Sequence, residues 1–174
     1  MSNYKALLSE ISTFIFDYDG VMTDGVIIIT NEGEPLRTAN VKDGYALQLI
    51  HKLGYNVAII SGGYSHSMEK RFESLGIKDL FLGVSDKLQV YEQYRKDKQL
   101  KNENILYMGD DVPDLLPMKA CGVPVCPADA SNEIKNISLY ISHLNGGRGC
   151  VRDIIEQVLK VQGRWMMDAD AHTW

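Results

Sequence analysis

A short apolar segment that ends in two acidic residues constrains the fold of this chain more than any other stretch. Residues 14–16 (Phe-Ile-Phe) have the aromatic and β-branched side chains of a buried strand. Asp17 and Asp19 follow, and alternate side chains of an extended chain point to the same side. Gly20 then permits a sharp turn. Because two acids at the end of a buried strand are costly without a partner, the segment is either a catalytic carboxylate pair or a surface turn.

Apolar segments and helical segments alternate along the rest of the chain. Further strands are expected at about 56–61, 79–82, 104–108, 123–125 and 139–141, with helices at about 43–53, 65–75, 86–99, 112–121, 132–137 and 150–161. Such alternation is typical of βαβ units, which build a mostly parallel sheet with helices on both faces. We therefore predict a Rossmann-like α/β fold in a single domain that spans residues 1–174.

Two segments stand apart from this alternation. Residues 26–40 predict a β-hairpin with a glycine-bearing turn, and residues 162–174 form a C-terminal tail. The hairpin follows the acidic segment directly in the chain. Asp43 is expected to cap the helix that comes after the hairpin.

Composition argues against several classes of function. The chain has 174 residues, a formal net charge of −5 and a pI near 5.3, which do not suit a nucleic-acid-binding surface. Its apolar runs are too short for a membrane span, and its first residues do not resemble a secretory signal. The three cysteines lack the spacing of a metal site and are expected to be buried thiols. We expect a cytoplasmic protein with no nucleic-acid or membrane partner.

Polar residues follow three of the predicted strands. Asp17 and Asp19 follow the first strand, Ser61 follows the second, and Asp110 and Asp111 follow a later one. In parallel sheets, ligands bind beyond the carboxyl ends of the strands. If these strands are neighbours, the polar residues meet in one crevice, and this favours the catalytic interpretation over the surface turn.

These residue types suit the hydrolysis of a phosphate ester. A hard cation such as Mg²⁺ binds oxygen ligands, and we assign Asp17, Asp19 and Asp110 to it. Asp17 is also the candidate nucleophile, through an aspartyl-phosphate, and Asp19 is the candidate acid and base. Ser61 and the backbone amides after it can hold phosphoryl oxygens. Lys87, at a helix start, would stabilise the charge on Asp17 and on the phosphoryl group.

Four motifs, in this order along the chain, resemble those of the haloacid dehalogenase superfamily of phosphatases. They are Asp17-Tyr18-Asp19-Gly20, Ser61 at the end of its strand, Lys87, and Gly109-Asp110-Asp111-Val112-Pro113-Asp114. The resemblance implies that Asp17 is the nucleophile, Asp19 the acid and base, and Asp110 a Mg²⁺ ligand. It also implies that Asp111 and Asp114 support the metal.

The segments between the motifs are too short for the cap domain that many members of this superfamily carry. Residues 20–60 hold only the hairpin and one helix, and residues 62–86 hold one helix and one short strand. Capless members act on macromolecules or close the site with a neighbouring subunit. A hairpin flap alone excludes water poorly, so we expect a neighbouring subunit to close the active site.

Nearly the whole chain is similar to one capless branch, the 3-deoxy-D-manno-octulosonate 8-phosphate (KDO 8-phosphate) phosphatases and their 2-keto-3-deoxynononate 9-phosphate relatives. The supporting stretches are residues 19–25, 41–44, 71–77 and 147–152, and residues 162–165 resemble the octulosonate side. The resemblance implies a Mg²⁺-dependent phosphomonoesterase for a small sugar-acid phosphate in lipopolysaccharide biosynthesis. It also implies a homotetramer in which the hairpin reaches a neighbour's site. The alternatives are the nononate phosphate and a macromolecular substrate.

A sugar acid also needs partners for its carboxylate. Lys42, Arg71 and Arg148 are the candidates, since Lys and Arg bind carboxylates, and Gly62 is expected to contact the substrate. Members of this branch carry Arg or Glu just after the glycine that follows the second motif, where this chain has Gly63. This departure leaves the choice between the octulosonate and the nononate open.

Overall fold

The computed structural model describes residues 4–167, so residues 168–174 of the predicted tail lie outside the described part. The strands are β1 Thr13–Phe16, β2 Ile28–Ile29, β3 Pro35–Leu36, β4 Asn56–Ile60, β5 Asp79–Phe81, β6 Ile105–Met108, β7 Val123–Cys126 and β8 Tyr140–Ile141. The α-helices are α1 Tyr4–Leu8, α2 Val41–Lys52, α3 His66–Ser74, α4 Lys87–Asp97, α5 Leu115–Ala120, α6 Asn132–Ile137 and α7 Cys150–Val161. Short 3-10 turns cover Asn102–Asn104 and Val112–Asp114.

Six of the strands form one sheet in the order β5-β4-β1-β6-β7-β8. Every neighbouring pair in this sheet is parallel, which confirms the predicted α/β fold class. Phe16, the last residue of β1, is in register with Ile59 of β4 and Met108 of β6. The segments after β1, β4 and β6 therefore leave the sheet side by side, as the sequence predicted for its three polar strand ends.

The apolar core is divided between the two faces of this sheet. Phe14 and Phe16 of β1 pack in a cluster with residues of α2, α3 and α7, whereas Ile15 packs in a second cluster with α4, α5 and α6. This follows from the alternation of side chains along a strand. Burying each large apolar side chain stabilises the fold by about 1.5–3 kcal/mol. The central strand is thereby held on both faces.

Asn40, and not Asp43, is the N-cap of α2. The Asn40 side-chain oxygen accepts hydrogen bonds from the backbone N–H groups of Lys42 and Asp43. The prediction that Asp43 caps this helix is wrong because the helix begins two residues earlier. Asp43 is buried in the first turn instead, where its Oδ1 accepts the backbone N–H of Arg152 at 2.8 Å. This contact ties α2 to the start of α7.

The predicted hairpin is present as the antiparallel pair β2 and β3. Ile28 faces Leu36 across the pair, and Gly33, at φ +84°, provides the left-handed turn residue. The paired part is shorter than residues 26–40. The apolar residues of β2 and those just before it, Val26, Ile27, Ile28 and Ile29, are between 42% and 63% exposed.

The structure also describes the state of the cysteines and the length of the helices. Cys121, Cys126 and Cys150 are free and buried, as predicted. Within residues 4–167, no helix has both the length and the apolar character that crossing a bilayer requires.

Candidate active site

A cavity of about 450 Å³ opens at the carboxyl end of the sheet. Its lining includes all the residues that the sequence predicted as catalytic or metal-binding, together with Gly62, a predicted substrate contact: Asp17, Asp19, Ser61, Gly62, Lys87, Asp110, Asp111 and Asp114. Lys42, Arg71 and Arg148 line other cavities. The structure thus brings the predicted chemical groups together and leaves the predicted sugar-binding cations apart.

Asp17 lies at the end of β1 and is almost fully buried. Its Oδ1 accepts the backbone N–H of Tyr18 at 2.6 Å, and its Oδ2 is 2.9 Å from the ammonium nitrogen of Lys87. Burial raises the pKa of Asp17 well above its ordinary value, and the nearby Asp114 raises it further, while Lys87 opposes both. These two contacts hold the carboxylate in one orientation, with Oδ2 directed toward Lys87.

Lys87 bridges two carboxylates from the first turn of α4. Its Nζ lies 2.9 Å from Asp17 and donates to Asp114 Oδ1 at 2.7 Å. Burial alone would lower the pKa of Lys87, but the two carboxylates outweigh it and the pKa is raised. Lys87 is therefore a fixed cation at the centre of the site.

Asp114 is held by three donors. Its Oδ1 accepts from Lys87 and, at 2.9 Å, from the hydroxyl of Tyr107 on β6. Its Oδ2 accepts the backbone N–H of Asp110 at 3.3 Å. The sequence predicted Asp114 only as a support, and in the structure it fixes both Lys87 and the loop after β6.

Carboxylate oxygens of Asp17, Asp110 and Asp114 lie within 4.8 Å of one another, close enough to share one metal ion. Burial, and then the negative charge of Asp114, raise the pKa of Asp110 to about 7. The site therefore has more negative charge than Lys87 neutralises. An all-oxygen donor set with unneutralised charge fits a hard divalent cation.

Gly20 explains how Asp110 reaches this position. Its φ is +85°, and a Cβ built on Gly20 would lie 2.0 Å from Asp110 Oδ2. A side chain at this position would push the carboxylate out of the metal-binding group. The glycine after the acidic pair is thus required both by the turn and by the close approach of Asp110.

Ser61 begins the loop that follows β4. It is buried, its backbone N–H donates to Phe81 on β5, and its hydroxyl accepts the N–H of Gly63 at 3.1 Å. Gly62, between them, is exposed at the cavity. The loop is therefore fixed by the sheet at its start and open to a ligand at Gly62.

The sequence predicts Asp19 both as a metal ligand and as the acid and base. Its carboxylate lies outside the group of three and pairs with Arg37, at the end of the hairpin. The Arg37 Nε donates to Asp19 Oδ1 at 2.6 Å, and Nη2 donates to Oδ2 at 2.9 Å. Sequence reasoning missed Arg37, because the only available signal was its place on a hairpin next to the acidic segment. Asp111, a predicted metal support, is exposed at the cavity rim.

The three predicted sugar-binding cations occupy two further cavities. Lys42 and Arg148 line one of about 350 Å³ beside the start of α7. Arg148 lies 3.4 Å from Asp24. Arg71 lines a small cavity between α2 and α3, where it packs over Gly44. Within one chain, these residues do not reach the cavity that holds Asp17.

Known proteins of similar sequence and fold identify the family of this chain. No protein-family model matches it. The 3-deoxy-D-manno-octulosonate 8-phosphate phosphatase KdsC of Yersinia pestis is 37% identical over 156 residues, which are 90% of this chain and 83% of that protein. The crystal structure of the Y. pestis phosphatase has a TM-score of 0.91 at 36% identity, covering 94% of this chain and 88% of that one.

A further solved structure is the corresponding phosphatase from Moraxella catarrhalis, in complex with a magnesium ion, a phosphate ion and KDO. It has a TM-score of 0.90 at 32% identity and covers 94% of each chain. The sequence and the fold agree over almost the whole length of this protein. The chain belongs to the 3-deoxy-D-manno-octulosonate 8-phosphate phosphatase family of the haloacid dehalogenase superfamily.

Proposed function

We propose that this protein is a Mg²⁺-dependent phosphomonoesterase that hydrolyses KDO 8-phosphate to KDO and phosphate. The observation that carries this proposal is the group formed by buried Asp17, Lys87 and Asp114 and half-buried Asp110 at the carboxyl end of the sheet. Family membership selects the substrate, since a relative from M. catarrhalis binds magnesium, phosphate and KDO.

In the first step, Asp17 Oδ2 attacks the phosphorus atom and the leaving alkoxide receives a proton from Asp19. The resulting aspartyl-phosphate divides one difficult hydrolysis into two easier displacements. Lys87, which contacts Asp17, supplies positive charge where the phosphoryl oxygens gather. Ser61 and the amide of Gly62 are proposed to hold the same oxygens.

In the second step, Asp19 removes a proton from a water molecule, which then attacks the aspartyl-phosphate. Acid and base thus alternate on one carboxyl group, and this requires that Asp19 be able to gain and lose a proton in each cycle. Asp17 is regenerated and phosphate is released. Lys87 and Asp114 keep Asp17 in place throughout because neither contact depends on the substrate.

Asp17, Asp110 and Asp114 are the proposed protein ligands of Mg²⁺, with Asp111 as a support at the rim. When bound, the cation neutralises phosphate charge and favours in-line displacement. Burial, and then the negative charge of Asp114, raise the pKa of Asp17 and Asp110, and this uncompensated charge supports the assignment. Removal of the divalent cation should therefore abolish turnover.

The protein is further proposed to act as a homotetramer in the cytoplasm, in lipopolysaccharide biosynthesis. Support for the assembly comes from the hairpin, whose apolar side chains at 26–29 are strongly exposed in a single chain. Lys42, Arg71 and Arg148 remain the proposed contacts of the sugar acid. Since they lie away from Asp17 in one chain, they would act at a site completed by a neighbouring subunit.

The decisive experiment is phosphate release from a panel of substrates. The panel contains KDO 8-phosphate, 2-keto-3-deoxynononate 9-phosphate, glucose 6-phosphate and a phosphopeptide, each with Mg²⁺ and with EDTA. We expect the octulosonate phosphate to have the highest kcat/KM and EDTA to abolish release. A preference for the nononate would change the substrate and keep the reaction. A preference for the phosphopeptide would overturn the proposal.

A further inference from the structure

Arg37 pairs with Asp19, and this contact has no role in the two reaction steps proposed for the site. The residue lies on the hairpin, 18 positions after Asp19 in the chain. Its side chain is only 5% exposed. Both oxygens of Asp19 are engaged, Oδ1 by Nε and Oδ2 by Nη2 of the guanidinium. Such a bidentate contact is among the strongest that a carboxylate forms in proteins.

Gly63 makes room for this pair. A Cβ built on Gly63 would lie 2.7 Å from Asp19 Oδ2 and 2.8 Å from Arg37 Nη2. Both distances are too short for real side chains, so any larger residue would displace the guanidinium or the carboxylate. The guanidinium therefore occupies the space that a side chain at position 63 would need.

The contact conflicts with the role of Asp19 as the acid. To protonate the leaving oxygen, Asp19 must carry a proton on one of its oxygens and point it at the substrate. While both oxygens accept N–H groups from Arg37, the carboxylate is held in orientation toward the hairpin. The pair must open in each catalytic cycle, and something must then satisfy the buried guanidinium.

Arg37 also has a donor for which the protein supplies no acceptor. Its Nη1 is buried and has no hydrogen-bond partner among residues 4–167. An unpaired buried donor costs about 1–3 kcal/mol. A guanidinium with one free nitrogen, next to the proposed acid, is suited to an anionic oxygen of the ligand.

We propose that Arg37 is a specificity-determining residue that binds the carboxylate of the sugar acid and thereby releases Asp19. The inference rests on the proposed function, because it needs a substrate that has a carboxylate besides its phosphate. The freed carboxyl group of Asp19 can then turn toward the leaving oxygen of the substrate, and it returns to Arg37 after the product is released.

The test compares KDO 8-phosphate with its C1 carboxamide, which differs only in lacking the carboxylate charge. For wild-type protein, we expect kcat/KM to be about 30-fold higher for the acid than for the amide, the worth of one charge-assisted bidentate contact. For Arg37→Gln, the ratio should fall by about ten-fold or more, because the carboxylate then loses the guanidinium contact and keeps only the other proposed cationic contacts. Arg37→Lys keeps the positive charge but not the bidentate geometry of the guanidinium, so it should retain part of the preference for the acid over the amide.

A second variant tests the geometry without touching the arginine. Gly63→Ala places a methyl group against the pair, and the acid-to-amide ratio should fall as it does in Arg37→Gln. The matched control is Arg95→Gln, which makes the same chemical change at a surface pair with Glu92 on α4. Its ratio should equal that of wild-type protein. Circular dichroism of all variants establishes that they fold.

The outcomes separate the two proposals. If wild-type protein hydrolyses KDO 8-phosphate but Arg37→Gln keeps the acid-to-amide ratio, the inference about Arg37 is wrong and the proposed function stands. An equal loss on acid and amide has the same meaning, since it indicates a structural role only. If wild-type protein hydrolyses p-nitrophenyl phosphate but no sugar-acid phosphate, the proposed function and this inference fail together.

Discussion

The strand-end group and the hairpin are constructed in opposite ways, although they meet at Asp19. In the strand-end group, Asp17, Lys87 and Asp114 are buried, and each is fixed by a partner less than 3 Å away. In the hairpin, the apolar residues at 26–29 are exposed, and only two residues of each strand pair. Buried charges contribute to a fold only when every partner is present. Exposed apolar side chains matter only when a second surface covers them.

This difference indicates which residues determine catalysis and which determine contacts with other surfaces. The chemistry depends on contacts within one chain, so single substitutions in the strand-end group should affect both activity and stability. Substitutions in the hairpin should leave the folded chain intact and alter only its contacts with a neighbouring subunit or with the active site. Asp19 belongs to both regions, because its backbone follows β1 and its carboxylate is held by the hairpin's Arg37.

Asp17→Asn is expected to have the largest effect on activity. Removal of the nucleophile should lower kcat by about 10⁴-fold or more, since loss of a nucleophile disables the whole catalytic unit. The measurement is steady-state phosphate release with saturating Mg²⁺. Asp97→Asn, the same change at an exposed position of α4, is the control. Turnover within ten-fold of wild type would show that another group attacks phosphorus.

Lys87→Met should have the largest effect on stability. Without the ammonium group, Asp17 and Asp114 remain buried without a counter-charge, and the free energy of unfolding should fall by about 3–5 kcal/mol. Urea denaturation at pH 8 in EDTA measures this loss. The loss should be smaller at pH 5.5, because protonation of Asp110, whose pKa is raised to about 7, relieves the repulsion.

The matched control for this variant is Lys96→Met, at an exposed position on the same helix, where the change should be within about 0.5 kcal/mol. Equal losses in the two variants would contradict the idea that Lys87 holds the group together.

Asp19→Asn tests the point where the two regions meet. The loss of acid and base catalysis should lower kcat for KDO 8-phosphate by about 10²-fold or more. For p-nitrophenyl phosphate the decrease should be smaller, because its leaving group departs without a proton. A larger loss on the nitrophenyl ester than on the sugar ester would assign Asp19 to a role other than protonation.

The strand-end group could be predicted because it depends on rules that act locally or through parallel register. A strand that ends just before Asp17, a turn at Gly20 and a strand that ends before Asp110 are each visible in the sequence, and the α/β architecture places their ends side by side. Ser61 follows from the same register. These predictions needed no knowledge of side-chain conformations.

The remaining contacts could not be predicted, since they depend on how separate elements pack. Arg37 reaches Asp19 only because the hairpin folds back over the loop at Gly63. Lys42 and Arg71 lie on helices, and the face that each helix presents is fixed by the core rather than by charge. The capping error at Asp43 has the same origin, because its true contact is with α7, far along the chain.

Asp43 is a buried carboxylate that accepts the backbone N–H of Arg152, and it should respond to pH more simply than Asp17 does. Burial raises its pKa from 3.8 to about 6. The folded state therefore binds a proton more tightly than the unfolded state, and this contribution to the free energy of unfolding falls as the pH rises from about 4 to 6. A displacement of about two pKa units corresponds to about 3 kcal/mol.

Asp43→Asn, which keeps a side-chain oxygen for the Arg152 N–H, should remove this dependence. Urea unfolding at pH 4.5, 5.5, 6.5 and 7.5 should show the variant gaining stability relative to wild type across the series. Parallel curves for the two proteins would mean that burial does not perturb this carboxyl group.

Ile29→Ser should have the smallest effect on the folded chain and the clearest effect on assembly. The side chain is exposed, so its replacement should change the unfolding free energy of the dissociated chain by no more than about 0.5 kcal/mol. Ile59→Ser, at a buried position of β4, is the contrasting variant and should cost several kcal/mol. Light scattering then distinguishes the two variants. Only Ile29→Ser should be folded and have a smaller molar mass than the wild-type assembly. If Ile29→Ser retains the wild-type mass, the exposed apolar side chain of Ile29 on β2 does not hold the subunits together.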